Sequence, residues 1–482
     1  MIIMKFGGTS VGGATAIAQV VEIVRRFRAG ELPHLLAQEN RRLVLVTSAM
    51  SGVTDRLLTA ARQAAHRDGA TFRRVAGELR AAHHQAAEAL VANPSRRASL
   101  LWELDALLND FESLCQAIYV LGEVTNRGMD AVASTGERLS VRLLAAALVE
   151  SGLPAQVVES THLVVTDDNF GNASPLMEET RLASQSMLAP ILALGEIPVV
   201  TGFIGATREG TTTTLGRGGS DYLAAILGAA LDTAEIWIWT DVDGVLTADP
   251  RVVAEACTLP RISYGEAAEL SYFGAKVLHP KTILPAVQRG IPLRILNTFH
   301  PDHPGTRVEK EEAGEIPVKG ITSIQGLCQV TVEGKGMIGV PGIAAKLFAC
   351  VASQEISVLM ISQSSSEQNI CIVIPQEASE RALRALEAGF ASERARQNVE
   401  RIWSQDAVAI LAVVGAGMKD TPGIGAKVFG ALGNRGINII SVAQGSSKYN
   451  LSLVVSEEET DRAVRAIHQD LGLAGLSGEA NR

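Results

Sequence analysis

One segment of this chain is written twice, and that duplication constrains the fold more than any other feature. Met337–Ile374 and Met418–Val455 align without a gap at an offset of 81 residues, with about 13 of 38 positions identical. Pro341-Gly342-Ile343 matches Pro422-Gly423-Ile424, Phe348 matches Phe429, Gln363 matches Gln444, and Asn369 matches Asn450. Each copy reads strand, Pro-Gly turn, helix, strand, tight polar turn, strand, helix. That is the order of a βαββαβ sandwich.

The first three hundred residues are built differently. Strands are expected at Ile2–Phe6, Leu43–Thr47, Ala155–Val158, Pro198–Gly202, Glu235–Thr240 and Leu293–Leu296. Most end at Gly, Ser or Asp and run into helical patterns, which predicts an α/β fold with an open, mainly parallel sheet sandwiched by helices. Residues 55–130, rich in Ala, Leu, Arg and Glu, read as a helical excursion from that sheet. Residues 301–319 have the Pro, Gly and charge content of a linker. The expected plan is one α/β domain over 1–300, the linker, and two repeat domains over 320–400 and 401–482.

With 482 residues, two to four domains are the natural expectation. The net charge of −9 argues against a nucleic-acid surface. Cys115, Cys257, Cys328, Cys350 and Cys371 form no C-x-x-C pair and no His stands at metal spacing, so free thiols and no metal site are expected. The N-terminus runs straight into a strand, which reads as no signal peptide. The apolar run from Leu188 to Ala206 is broken by Pro190, Glu196 and Pro198. These features predict a cytoplasmic protein with no membrane or nucleic-acid partner.

The chemistry concentrates in a few stretches. Residues 211–222, Thr-Thr-Thr-Thr-Leu-Gly-Arg-Gly-Gly-Ser-Asp-Tyr, place three glycines around Arg217 and then open an apolar helix with Ser220 and Asp221. Glycines ahead of a helix let backbone N–H groups approach an anion, and the arginine can hold a carboxylate or phosphate bidentately. Lys5-Phe6-Gly7-Gly8-Thr9-Ser10 ends a strand, where a lysine can reach a phosphoryl group held over the glycines. No G-x-x-x-x-G-K-[ST] occurs, which excludes a P-loop. Thr240-Asp241-Val242-Asp243-Gly244 and the following Asp249-Pro250-Arg251 suit either a nucleotide or metal pocket or a plain acidic turn. Lys276 stands beside glycine in Phe273-Gly274-Ala275-Lys276, and His279 before Pro280 reads as a structural cap. Ser48–Asp55 and Ser134–Arg138 are hydroxyl-rich turns. In the second, Glu137 stands three residues after Ser134, the spacing of a capping box.

In order along the chain, Lys-Phe-Gly-Gly-Thr-Ser-Val, Thr-Gly-Glu, Gly-Phe-Ile-Gly, the 211–222 stretch, Thr-Asp-Val-Asp-Gly and Phe-Gly-Ala-Lys-Val-Leu-His-Pro resemble the aspartate kinases. The resemblance covers essentially the whole chain and implies an amino-acid-kinase fold followed by two ACT domains, with strand exchange between the two ACT units. It also implies the reaction of ATP with L-aspartate to give 4-phospho-L-aspartate and ADP, the first step of lysine, threonine and methionine biosynthesis. Carried across residue by residue, Lys5 and Asp221 are catalytic. Ser48, Ala49, Thr54, Glu137, Phe203, Arg217 and Ser220 line the aspartate site, with Arg217 on the α-carboxylate and Glu137 on the ammonium. Lys5, Gly7, Gly8, Gly219, Thr240, Asp241, Arg251 and Lys276 fall on the ATP side. Many relatives have Tyr where this chain has Leu246, so an aromatic contact to the nucleoside is not expected.

The β-carboxylate of aspartate is already a nucleophile at neutral pH, so no strong general base is needed, and Mg²⁺ is expected to ride on the ATP phosphates. The repeats resemble the threonine-sensitive aspartate kinases, read here without a homoserine dehydrogenase domain. That resemblance implies an amino-acid effector at Gly342, Ile343, Gln363, Asn369 and Gln444, with threonine ahead of lysine, and a homodimer or homotetramer formed through the ACT domains. Two alternatives stand beside this reading. One is an amino-acid-sensing subunit with a decayed kinase half, which the retained Lys5, Arg217, Asp221 and Lys276 oppose. The other is a glutamate-directed kinase of the same fold; Glu137 together with Arg217 favours a free α-amino acid over an N-acylated one.

Overall fold

The computed structural model describes residues 1–32, 42–274, 278–310, 316–364, 366–418, 420–444 and 449–475. The chain divides into two compact units. The first comprises Met1–Val245, Pro260–Tyr264 and Val277–Glu311, the second Leu246–Leu259, Gly265–Lys276 and Glu312–Arg482.

In the first unit β1 (Ile2–Phe6) leads through α1 (Ala14–Ala29) to β2 (Leu43–Thr47). The helical excursion follows as α2 (Val53–Ala65), α3 (Gly69–Leu90), α4 (Pro94–Leu121), α5 (Asn126–Ala133) and α6 (Thr135–Glu150). Next come β3 (Ala155–Val158), α7 (Met177–Ala193), β4 (Ile197–Thr201), the hairpin of β5 (Ile204–Ala206) with β6 (Thr212–Thr214), and α8 (Gly219–Ala230). β7 (Glu235–Thr240), β8 (Arg261–Ser263), α9 (Tyr264–Tyr272), whose residues from Gly265 on belong to the second unit, α10 (Leu284–Arg289), β9 (Leu293–Asn297) and β10 (Thr306–Glu309) complete the run.

The strands form one sheet in the order β3-β4-β2-β1-β7-β9-β10-β8, with every pair from β3 to β9 parallel and β10 antiparallel to β9. β1, β2 and β4 are buried along their whole length, as their unbroken apolar runs predict for strands covered on both faces. Phe72, Leu79, Leu104 and Phe111 of the excursion join the same core as Met4, Phe6 and Leu45, so these helices extend the sheet's core. Residues 306–309, expected in the linker, are instead strand β10. Thr306 and Val308 turn inward and alternate with Arg307 and Glu309, a pattern too short to stand out in a Pro- and Gly-rich stretch.

The second unit contains β11 (Gly320–Glu333), α11 (Ile343–Ala352), β12 (Met360–Gln363), β13 (Asn369–Pro375), α12 (Ser379–Gly389), α13 (Ala391–Ala395), β14 (Arg401–Val414), α14 (Ile424–Gly433), β15 (Ser441–Ala443), β16 (Asn450–Ser456) and α15 (Thr460–Asp470). Apart from the short α13, each element of the first copy begins 81 residues before its twin. The sheet order is β12-β13-β11-β14-β16-β15. Its two long strands are shared. On β11, Ile321 packs in the core of the second copy with Ile424 and Leu453, whereas Cys328, Val330 and Val332 pack with Leu347 and Ile372 of the first. On β14, Leu411 and Val413 serve the second copy and Ile402 borders the first. The change of side on β11 falls at a register shift between Ile324 and Leu327, where Gly326 adopts φ +73°.

Segments from the first three hundred residues also belong to this unit. Ala248 and Val253 enter the second copy's core, and Thr247 Oγ1 lies 3.0 Å from Nε2 of the buried His468. Glu266 of α9 accepts the Ala416 N–H at 2.8 Å.

The turn into β10 permits only glycine. Gly305 has φ +66°, and a Cβ there would overlap the Ile295 carbonyl oxygen. Gly305→Ala should therefore destabilise the first unit by at least about 2 kcal/mol, read by urea denaturation followed through tryptophan fluorescence.

Candidate active site

The parallel neighbours β4, β2, β1 and β7 end at one edge of the sheet, and the chain leaves β1 with β2 on one side and β7 on the other. Such a switch point at the carboxyl ends of parallel strands is where open α/β sheets bind ligands. Lys5, paired in register with Val46 and Ile238, sits one residue from the end of β1. Its Nζ lies 2.6 Å from Oδ1 of Asp221 in the first turn of α8. The two charges meet at ion-pair distance without the alignment of a hydrogen bond. The helix N-terminus adds a favourable field at Asp221.

The two glycines after β1 hold different duties. The Gly7 N–H donates to the Trp239 carbonyl at 3.1 Å, carrying the β1–β7 ladder past the strand. A Cβ on Gly7 would stand 3.5 Å from Lys5 Nζ, and one on Gly8 would stand 3.1 Å from the Ala49 carbonyl oxygen. Glycine at position 8 therefore lets the turn after β1 lie against the turn after β2.

Ser48 and Ala49 form that second turn, with Thr54 at the start of α2. The Ala49 N–H donates to Glu137 Oε1 at 3.2 Å, and the other carboxyl oxygen, Oε2, is buried with no hydrogen-bond partner among the described residues. Burial pushes the Glu137 carboxyl up to about 8. The capping-box alternative is not realised. Ser134 Oγ donates to the Ala131 carbonyl at 2.7 Å, because α5 runs almost directly into α6 and leaves no free helix start to cap. Gly136 is needed here for space, since a Cβ would come 2.8 Å from the Ala49 methyl.

The end of β4 and the start of α8 interlock. A Cβ on Gly202 would lie 2.5 Å from Ser220 Oγ, and one on Gly219 would lie 2.6 Å from the Phe203 ring. Phe203 itself is held at φ +64°, a strained conformation of the kind that collects at functional sites. Arg217 is exposed between Gly216 (φ +76°) and Gly218 (φ +72°), and it makes no ion pair among the described residues. The fold thus gathers Lys5, Gly7, Gly8, Ser48, Ala49, Glu137, Phe203, Gly219, Ser220 and Asp221 along one edge, with Arg217 on the adjoining loop.

Other expected residues lie differently. Thr240 ends β7 and its hydroxyl donates to Asp241 at 3.2 Å, while Asp243 is engaged by Asn297 at 2.8 Å and His300 at 3.1 Å. Arg251 belongs to the second unit, where its guanidinium grips Asp249 through Nε at 3.0 Å and Nη2 at 2.6 Å. Lys276 lies outside the described residues. Sequence reasoning missed Asp130, a carboxylate 2% exposed on α5 that accepts hydrogen bonds from Gly171 and Thr214. The available signal was an acidic residue in a short helix whose remaining inward positions, Val132 and Ala133, are apolar.

In the second unit a cleft of about 310 Å³ is lined by Val340, Pro341, Gly342, Ile343, Gln363 and Glu367 among others. Three of the expected effector residues, Gly342, Ile343 and Gln363, therefore meet. Asn369 begins β13 opposite Glu333, and Gln444 holds the equivalent of Gln363 in the second copy without lining this cleft.

The fold and the lysine–carboxylate site define the class. The model of the amino acid kinase family matches residues 1–297, and that of the ACT domain matches residues 330–390 and 411–471. Among curated relatives, the chloroplastic bifunctional aspartokinase/homoserine dehydrogenase 1 of Zea mays is 37% identical over 96% of this chain and 50% of its own. The chloroplastic aspartokinase 3 of Arabidopsis thaliana is 32% identical over 97% of this chain and 80% of its own. The chain spans about half the length of the bifunctional plant relatives it matches. E. coli aspartokinase III, solved with aspartate and ADP (R-state), superposes with a TM-score of 0.78 at 29% identity, over 98% of this chain and 100% of that one. The same protein with lysine and aspartate (T-state) gives 0.77 at 30%, over 98% and 99%. The chain belongs to the amino acid kinase family and, within it, to the aspartokinases.

Glu137 makes a pH prediction. Its carboxyl rises from 4.5 to about 8 on folding, so the folded protein keeps a proton that the unfolded chain releases across that interval. Its contribution to stability is complete below about 4.5 and is lost as pH rises to about 8. Glu137→Gln, which keeps an acceptor for the Ala49 N–H, should stabilise the unliganded protein little at about pH 5 and by on the order of a few kcal/mol at about pH 8. Denaturation curves of both proteins across that range check this.

Proposed function

We propose that this chain is an aspartate kinase, transferring the γ-phosphoryl group of ATP to the β-carboxylate of L-aspartate to form 4-phospho-L-aspartate and ADP. The observation that carries the reading is the buried Glu137 Oε2, without a hydrogen-bond partner among the described residues and linked through Ala49 and Gly8 to the turn that follows the Lys5 strand. An orphaned carboxylate oxygen in such a place calls for a cationic ligand group, and the α-ammonium of an amino acid supplies one. Arg217 offers the matching clamp for the α-carboxylate, which directs the β-carboxylate toward Lys5.

The reaction joins two anions, so the protein's work is to hold them in line and screen their repulsion. Lys5 faces the phosphoryl group in transfer, and Asp221 holds the Lys5 ammonium in place. Gly7, Gly8 and Gly219 lie on the nucleotide side with Thr240 and Asp241, while Ser48, Thr54, Phe203 and Ser220 shape the acceptor side. Mg²⁺ carried on the ATP phosphates adds charge neutralisation. The carboxylate–phosphoryl bond forms as the bond to the ADP oxygen breaks, with no covalent enzyme intermediate.

The paired ACT domains support feedback control by an amino acid at the Gly342–Gln363 cleft, and a homodimer or homotetramer assembled through them. Threonine is the effector this reading favours. Lysine is the second reading, favoured by its presence in the E. coli aspartokinase III complex. The product feeds lysine, threonine and methionine synthesis in the cytoplasm.

A coupled ADP-release assay tests the proposal: turnover should require aspartate, fall at least about tenfold with glutamate, and respond to threonine or lysine. Lys5→Ala should lower kcat by several orders of magnitude, roughly 10³-fold or more, with the fold intact by circular dichroism. Near-normal turnover in that variant would remove Lys5 from the mechanism.

A further inference from the structure

The loop that carries Arg217 is held from beneath by a residue that touches neither end of it in sequence. Asp130 Oδ2 accepts the Thr214 N–H and the Gly171 N–H, each at 2.9 Å, and Oδ1 accepts the Thr214 hydroxyl at 2.7 Å. All three donors are neutral, and Asp130 makes no ion pair among the described residues. Taking a carboxylate out of water without a cation is costly, and multiple short hydrogen bonds are the compensation it receives here.

Those bonds immobilise two turns at once. Thr214 is fully engaged, since its carbonyl accepts the Ala173 N–H at 2.9 Å and its backbone pairs with Ile204 across the β5–β6 hairpin. The next residue, Leu215, is buried and donates its N–H to the Phe203 carbonyl at 2.9 Å. The second turn is the wall of the first: a Cβ on Gly216 would lie 2.6 Å from Asn172 Oδ1. Arg217 therefore swings between two left-handed glycines from a base that Asp130 fixes on one side and α8 on the other.

We propose that Asp130 is a positioning residue for the amino-acid acceptor: through Thr214 and the Gly171–Asn172 turn it sets where Arg217 presents its guanidinium. The proposal rests on the reading of Arg217 as the α-carboxylate clamp. It assigns Asp130 to the acceptor, because the hydrogen bonds of Asp130 among the described residues go to Thr214 and Gly171, whereas Lys5 is paired with Asp221.

The test uses the full-length protein with Asp130→Asn, which keeps the shape but replaces one acceptor oxygen by a donor, and Thr214→Val, which removes only the hydroxyl. The expected result for Asp130→Asn is a rise of at least about tenfold in KM for aspartate, with KM for ATP and kcat within about threefold of the parent. Thr214→Val should move the same parameter in the same direction by roughly threefold or more, and the double variant should show less than the product of the two effects. A purely structural role would instead lower kcat through a smaller folded fraction and leave both KM values unmoved. Hydrogen exchange of peptides covering 211–218, measured without substrates, should accelerate in Asp130→Asn relative to peptides from β1. If the parent protein releases no ADP with aspartate, the kinase reading falls and the exchange arm still decides whether Asp130 holds the loop. Unchanged exchange over 211–218 in folded Asp130→Asn, or an unchanged KM for aspartate in an active variant, overturns the assignment. Should Asp130→Asn fail to fold, Thr214→Val decides by the same two readouts.

Discussion

A lysine ammonium and a carboxylate 2.6 Å apart, one on the central strand β1 and the other in the first turn of α8, set the geometry on which the catalytic half depends. Both side chains are largely withdrawn from water, so the pair is stable only as a pair. Deleting either member would strand the other charge at a cost of about 3–5 kcal/mol. Helix α8 can deliver Asp221 to Lys5 only because Gly202 and Gly219 let its first turn press against the end of β4. The same close approach aligns the turn after β2, and with it Ala49 and Glu137. Ion pair, glycine contacts and the Ala49–Glu137 hydrogen bond are thus one arrangement.

In the aspartate kinase reading proposed above, the pair also organises charge for a reaction between anions. On that reading Lys5 and Arg217 supply positive charge, Asp221 restrains the lysine, and the Glu137 carboxyl ionises when a cationic group arrives. A carboxyl raised by burial to about 8 is a poor resident of a protein core and a good receptor for an ammonium. On the same reading, that is why a group whose contribution to stability is lost as pH rises from about 4.5 to about 8 stands at this edge of the sheet.

In the second unit a duplicated sequence performs unequal work. The element starts repeat at 81 residues, yet the equivalent backbone groups find different partners: the Lys335 N–H donates to Glu400, and the Ala416 N–H donates to Glu266 from the catalytic half of the sequence. Asn450, twin of Asn369, donates to Glu269 at 3.1 Å. Thr247 and His468 add a further buried contact between that half of the sequence and α15. Duplication set two frames of one shape, and the segments packed against them made them different.

Local pattern determined a great deal here. The alternation of β-branched runs and helical stretches placed β1, β2, β3 and β7 at their observed bounds, and for β1, β2 and β7 the reason is that strands buried on both faces must be continuous apolar runs. The repeat predicted two βαββαβ units, of which the structure shows two matched βαββα runs that share the long strands β11 and β14, and the glycine-, lysine- and arginine-bearing turns named the stretches that meet at the sheet edge. Tertiary structure alone decided the rest. The burial that orphans Glu137 Oε2, the three neutral donors gathered by Asp130, and the passage of β11 from one core to the other all involve residues far apart in sequence. So does the inclusion of residues 246–259 in the second unit. Such features come from desolvation and close approach across the fold, and those are properties of what surrounds a residue, which its neighbours in sequence do not record.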